Sequence, residues 1–331
     1  MNKRMTKTKE KRAKKLKIIF IGTPDFGAIM LEKLIDNGYL PSLVITNPDR
    51  PSGRGKKINE SAVSKISKKY KIDLIKPEKI KTAGDKIEKI EPDLIIVAAY
   101  GQYIPLWIIG IPKYGTINVH PSLLPKYRGS SPIQYPIFNG DKETGTTIML
   151  MNEEMDKGDI LSQKKIILNS NETYESLFVK LSNLSANLLI KTIPSWINGK
   201  IKPKKQNKAK AVYSKVLNRY DGKIDWKNSA NYIERQVRAF NPWPGSYTYF
   251  KLPNLKNEKL FKVLDGGILK QTKVGPFGPP GKTYVAPNGN IAVQTGKDFF
   301  IIKKFQIEGG VAINSSDYLK DNISLIGLIL K

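Results

Sequence analysis

Cysteine is absent from the 331 residues, and histidine occurs once, as His120. The first absence excludes disulfides, thiolate zinc sites, iron–sulfur clusters and a cysteine nucleophile. The second excludes any centre that needs two imidazoles. Arginine is scarce as well: 56 side chains are Lys or Arg, and only 8 of them are Arg. In a Lys-dominated chain, each Arg hints at a place where a planar fork of donors is wanted over a point charge. Acidic residues number 29, which leaves a net charge of +27. That excess points to an anionic partner, nucleic acid or an acidic membrane surface. No apolar run approaches the ~20 residues of a membrane span. The first 17 residues carry nine basic side chains and no apolar core, so they do not read as a secretory signal. Residues 1–16 read as a basic disordered tail, with direct RNA contact as the other reading. The chain is expected in the cytoplasm.

What is present is a globular composition. Hydrophobic residues make up 40% of the chain, enough for a sizeable core, and the length suits two domains. The charge is uneven. Residues 1–100 hold 23 basic and 12 acidic side chains, net +11; residues 101–200 hold 10 and 8, net +2; residues 201–331 hold 23 and 9, net +14. From Lys17 onward, apolar strand-like runs (Leu16 to Gly22, Ser42 to Thr46, Asp93 to Ala99, Thr116 to His120, Thr146 to Met151) alternate with helical spacings. One helix is read over Phe26 to Asn37 and another over 60–70. Such alternation predicts an α/β domain with a mostly parallel sheet. A long amphipathic helix is expected near Thr173 to Asn198. Residues 199–211 hold six Lys and no acid, a linker composition. Beyond it, a helix over Ser229 to Phe240 with Ser229 as N-cap precedes short strands separated by Gly, Pro and Asn. Short strands at that spacing predict a small β-barrel of the oligonucleotide-binding type. The expected organisation is therefore a tail (1–16), an α/β domain (17–198), a Lys-rich linker (199–211) and a barrel domain (212–331).

Three constellations carry chemistry. Ile21 to Gly27 (IGTPDFG) is a glycine-rich strand–helix turn. It lacks the second glycine of Gly-x-Gly-x-x-Gly, which argues against a dinucleotide site. Asn47 to Lys57 (NPDRPSGRGKK) reads either as a mobile solvated loop or, with two of the eight Arg, as a basic arm for phosphate or unpaired bases. The third is Ile117 to Gln134 followed by Met151 to Ile160. Asn118 and His120 lie two apart on one strand and so share a face. Asp156 follows on a loop after a neighbouring strand. An amide, an imidazole and a carboxylate at strand ends suit acyl transfer. Asn donates to an oxyanion. His stabilises that oxyanion or protonates the leaving nitrogen. Asp supports the imidazolium charge and accepts the nucleophile's proton, directly or through water. A structural strand-end histidine bonded to the aspartate is the plain alternative.

INVHPSLLPKYRG, with MDKGDI downstream, resembles the folate-dependent formyltransferases over roughly residues 16–195. The resemblance implies a Rossmann-like catalytic domain and 10-formyltetrahydrofolate as the formyl donor, with no metal. It implies that Asn118, His120 and Asp156 are catalytic, that Ser122, Leu123, Leu124 and Pro125 line the folate site, and that the backbone of Gln102, Tyr103 and Ile104 grips the pteridine. Two further stretches resemble the members of that family that act on methionyl-tRNA. These are IFIGTPDFG with the PDRPSGRGKK loop, and IDW followed by RQVRAFNPWPGSY. They imply initiator methionyl-tRNA as acceptor, with Arg50, Arg54, Lys56 and Lys57 on the loop and Arg235 and Arg238 in the C-terminal domain as contacts. After about Leu252 the likeness thins. A glycinamide ribonucleotide formyltransferase would stop near residue 200. A nucleotide-sugar formyltransferase would leave the basic loop unexplained. A non-catalytic RNA-binding protein on the same fold would leave Asn118, His120 and Asp156 as relics. A monomer with no membrane partner is expected.

Overall fold

The computed structural model describes residues 16–52, 57–252, 256–270 and 278–331. The chain divides into two compact units. One holds residues up to Val119 with Ile148–Glu154 and Leu189–Pro203; the other holds His120–Thr147, Met155–Leu188 and Lys204–Lys331.

In the first unit, β1 (Ile18–Gly22) leads into α1 (Asp25–Asp36) and β2 (Leu43–Ile45). A hairpin of β3 (Arg50–Ser52) and β4 (Lys57–Asn59) precedes α2 (Ala62–Lys69) and β5 (Leu74–Ile75). Then come α3 (Gly84–Ile90), β6 (Leu94–Ala98), α4 (Leu106–Ile109) and β7 (Thr116–His120). The order β5-β2-β1-β6-β7 is parallel throughout. The two central strands, β1 and β6, are buried along their whole length, which is why both read as unbroken apolar runs. Successive strands go one way from β1 to β5 and the other way from β6 to β7. The carboxyl ends of β1 and β6 therefore flank the topological switch point, where α/β sheets hold their ligands. Gly22 and Gly27 serve close packing there. A Cβ on either would lie within 2.8 Å of the Ala98 carbonyl oxygen.

The short β8 (Arg128–Gly129), α5 (Gln134–Asn139), β9 (Glu143–Leu150) and β10 (Ile160–Ile167) follow. β9 and β10 continue the strand order past β7. α6 (Tyr174–Ile197) is the long helix that the leucine spacing predicts. β11 (Tyr213–Ser214) pairs in parallel with β8.

α7 (Ala230–Phe240) starts where the sequence places it, with Ser229 Oγ accepting from the Tyr232 N–H. The remaining elements are β12 (Ser246–Phe250), β13 (Lys259–Leu269), β14 (Thr283–Val285), β15 (Ile291–Gln294), β16 (Phe299–Ile307), β17 (Ala312–Asn314) and α8 (Ser315–Asp321). The antiparallel order is β12-β13-β16-β15-β14. Its two edges are joined by the last four residues. Thr283 N donates to Leu328 O and Leu330 N to Gly281 O, while Lys331 and Tyr249 exchange two backbone bonds of 2.9 and 3.1 Å. That segment bridges the β12 and β14 edges and closes the sheet into a barrel. Phe250, Phe261, Phe300 and Phe305 fill the interior with Ile233 and Val237 of α7.

Candidate active site and its surroundings

β7 ends at His120, a buried residue at 4% exposure. Strand alternation puts Asn118 on the same face. His120 Nε2 lies 2.9 Å from the Tyr127 carbonyl oxygen. A carbonyl only accepts, so Nε2 carries a hydrogen and donates it there. Nδ1 faces Asp156, 3.7 Å from Oδ1. That is an ion-pair separation, too long for a direct hydrogen bond. Asp156 lies in the loop between β9 and β10 with a left-handed φ of 53°. Its Oδ2 accepts from the Gly129 N–H at 2.8 Å. The His120 carbonyl takes the Thr146 hydroxyl, which in turn takes that of Ser185 on α6.

Ser122 to Pro125 form a tight turn. Ser122 Oγ donates to the Lys126 carbonyl. Thr147 Oγ1 donates to Ser122 O and accepts from Leu124 N, and Gln163 donates to Leu124 O. Ser122 and Leu124 are buried, while Leu123 and Pro125 keep partial exposure. The turn thus offers a fixed wall, with the Ser122 hydroxyl already engaged inside it.

Gln102, Tyr103 and Ile104 follow β6 at the switch point, after two left-handed residues, Ala99 (φ 52°) and Gly101 (φ 85°). The Gln102 side chain accepts from Ile80 N and donates to Asn47 Oδ1. Asn47 Nδ2 donates to Tyr100 O at 2.6 Å. This stitching holds an irregular main chain beside buried Ile104 and exposed Tyr103. Main-chain polar groups next to an apolar wall are a donor set that fits a flat heterocycle with amide-like edges.

The segment read as a basic loop has ordered flanks. β3 and β4 pair antiparallel, Arg50 opposite Asn59. Both ends are clamped by Lys76, whose ammonium contacts Asp49 at 2.8 Å and Glu60 at 3.3 Å. Hydrogen bonds from Lys68, then Ser64, hold the Glu60 carboxyl down at about 2. Arg50 pairs with Glu78. Arg54 and Lys56 lie outside the described residues, and Lys57 is described for its backbone only. On α7, Arg238 is bound to the Glu234 carboxylate and the Glu172 carbonyl. Arg235 has a buried Nε with no hydrogen-bond partner and lies against Gly140. Among the described residues, no group of three or more His, Asp or Glu is placed to hold a metal ion.

Two residues with no role in the sequence reading stand beside His120 and Asp156. Arg128 is buried at 2% exposure, and Gln206 is nearly as enclosed. Arg128 was legible in principle as the one arginine between Arg54 and Arg219. Gln206 sits among lysines and gave no signal beyond being uncharged.

Residues 15–193 match the Formyl transferase family and residues 217–322 match Formyl transferase, C-terminal domain. The methionyl-tRNA formyltransferase of Clostridium acetobutylicum is 38% identical over 319 residues, covering 96% of this chain and all of that protein. That of Geobacter sulfurreducens is 37% identical over 309 residues, covering 92% and 93%. Among solved structures, an N-formyltransferase from Helicobacter canadensis, in complex with folinic acid and dTDP-3-aminofucose, aligns with a TM-score of 0.62 at 19% identity. It covers 87% of this chain and 98% of that one. HypX from Aquifex aeolicus in complex with tetrahydrofolic acid aligns at 0.60 and 16% identity, over 93% of this chain and 47% of that one. These two likenesses concern the fold, whereas the full-length sequence matches fix the lineage: the chain belongs to the formyl transferase family, in its methionyl-tRNA formyltransferase branch.

Proposed function

We propose that the chain transfers the formyl group of 10-formyltetrahydrofolate to the free α-amine of methionine carried on initiator tRNA. The observation that carries this reading is the Asn118-x-His120 pair at a strand end, with Asp156 Oδ1 3.7 Å from His120 Nδ1, in a chain that a methionyl-tRNA formyltransferase matches over 96% of its length.

The folate supplies a formyl group on nitrogen, and the aminoacyl-tRNA supplies a primary amine. Asn118 donates its amide hydrogen to the formyl oxygen as negative charge develops there. His120, with one hydrogen fixed on Nε2 by Tyr127, works through Nδ1. Its imidazolium stabilises the same oxygen and gives the Nδ1 proton to the departing nitrogen. Asp156 takes the proton that the attacking amine sheds, directly or through water, and returns it to Nδ1. One C–N bond forms, one breaks, and the proton count closes. No step calls for a metal or a covalent enzyme intermediate. Positioning and electrostatics carry the rate.

In this reading, Ser122, Leu123, Leu124 and Pro125 line the folate site and the backbone of Gln102, Tyr103 and Ile104 holds the pteridine. Arg50, Arg54, Lys56 and Lys57 meet the acceptor arm, with Arg235 and Arg238 on the C-terminal body. Residues 17–198 serve transfer, 199–211 connect, and 212–331 follow the tRNA. The enzyme acts as a cytoplasmic monomer. The basic flanks around a near-neutral centre support this division of labour.

The test is formyl transfer from 10-formyltetrahydrofolate to charged initiator tRNA, with glycinamide ribonucleotide and a dTDP-amino sugar as control acceptors. Formylmethionyl-tRNA is the expected product and neither control should be formylated. A folded protein that leaves Met-tRNA unmodified, or prefers a control, overturns the reading.

A further inference from the structure

We propose that Arg128 and Gln206 are positioning residues that hold Asp156 in register with His120, an inference that rests on the catalytic reading above. The argument starts from the backbone. Three consecutive residues serve the catalytic pair. Tyr127 gives its carbonyl to His120 Nε2 (2.9 Å), and Gly129 gives its N–H to Asp156 Oδ2 (2.8 Å). Arg128 stands between them. Both flanking residues have left-handed backbones, Tyr127 at φ 59° and Gly129 at φ 106°. For a tyrosine that conformation is strained and persists only where surrounding bonds enforce it.

Those bonds are visible. Arg128 Nε and Nη2 both donate to Gln206 Oε1 (3.0 and 2.8 Å), and Nη1 donates to the Tyr213 hydroxyl (3.3 Å). Gln206 Nε2 then donates to the Asp156 and Gly158 carbonyls (2.9 and 2.8 Å). One amide thus grips the catalytic loop on its donor side and the arginine on its acceptor side. Tyr127 is fixed separately, its hydroxyl donating to Asp141 and accepting from Asn139. The result is a closed circuit from His120 through Tyr127, Arg128 and Gln206 to Asp156, and back through Gly129.

The choice of residues follows from this geometry. A buried guanidinium with neutral hydrogen-bond partners is an expensive group to retain for packing alone. Lysine, the usual cation of this chain, could not fork onto one amide oxygen while also reaching a hydroxyl. Glutamate at 206 would keep the acceptor for Arg128 and place an oxygen against two carbonyls. Only an amide satisfies both sides.

The test uses that asymmetry on full-length protein without a histidine tag. Gln206→Glu retains the Arg128 contact and removes the grip on the loop. The single imidazole gives one unambiguous set of ring ¹⁵N signals. Wild type is expected to show a hydrogen localised on Nε2, which Gln206→Glu should keep because Tyr127 is untouched, while the Nδ1 signal, which reports the facing Asp156 carboxylate, should shift. Its kcat with both substrates saturating should fall about 10²-fold, the usual penalty of misplacement near 1 Å, with each KM within about twofold. In a His120→Asn background, where the circuit has no imidazole to position, the same change should cost less than about twofold in single turnover. An unchanged ring spectrum with full activity overturns the proposal. So does an equal loss in both backgrounds, which would mark a general structural role. If Gln206→Glu does not fold, Gln206→Met is read by the same measures. Should wild type fail to formylate Met-tRNA, the functional reading falls, and the ring spectrum alone still decides whether Gln206 sets the imidazole.

Discussion

The turn that carries His120 and the C-terminal barrel belong to the same compact unit and are built on opposite principles. Around His120, polar side chains (His120, Ser122, Arg128) are buried among Val119, Leu124 and Tyr127, and hydrogen bonds fix backbone at left-handed Tyr127, Gly129 and Asp156. In the barrel, rings do the work. Phe261 stacks on Phe305 with centroids 4.6 Å apart, and Phe300 packs near Trp226 and over Gly266, where a Cβ would come within 2.0 Å of the ring. Apolar packing is nondirectional and sums over area. A hydrogen-bonded circuit is directional and fails when one member is removed. The first suits a body that has to persist as a surface; the second suits a few atoms that must be aimed.

Substitutions can break this contrast cleanly. His120→Ala should lower formyl transfer about 10³-fold or more, within the range that acid–base groups supply, while the melting temperature and tRNA affinity stay near wild type. Kinetics beside a melting curve and a tRNA titration check it; an active variant would remove His120 from the chemistry. Phe300→Ala should do the reverse. It should cost about 3–5 kcal/mol of stability, as buried aromatic truncations do, read as a lower denaturant midpoint. The fraction that stays folded should keep its kcat. A loss of kcat beyond the loss of folded protein would show that the two regions are not independent in this way. Ser315→Ala sharpens the comparison from the other side. Ser315 is one of the barrel's few buried polar side chains, accepting from Ile291 N at 3.0 Å and donating to Ile302 O. Its removal orphans a buried N–H and should cost about 1–3 kcal/mol, again by denaturant titration. An effect within error would mean that the barrel tolerates a lost polar contact which the His120 turn would not.

The same contrast explains what could be read from the sequence. Apolar periodicity made β1, β6, β7, α1, α6, α7 and most barrel strands legible, because burial writes itself into residue type. The three-residue strands β14 and β17 were not, being too short to display a period of two. Ser229 as a cap was legible because the bond is local. Asn118, His120 and Asp156 stood out by residue type and by resemblance. Their support did not. Gln206 meets Arg128 across 78 positions, and nothing local in a lysine-rich stretch marks the one side chain that turns inward. The ordered flanks of the basic arm were missed for a related reason. The clamp of Asp49 and Glu60 on Lys76 is a long-range polar contact, and Pro51 within β3 argues locally against a strand.

The stretch 199–211 is, by composition, what a protease that cuts after lysine would seek first, with six lysines in thirteen residues. Its fold gives a different account. Lys204 exchanges two backbone bonds with Ile160, and Gln206 is held by Arg128 and the loop of Asp156. Cleavage between those anchors would cut no core, yet it would loosen the peptide that keeps a carboxylate aimed at the imidazole. Under the proposed mechanism, a nick in an apparent tether would be an injury to the site of transfer.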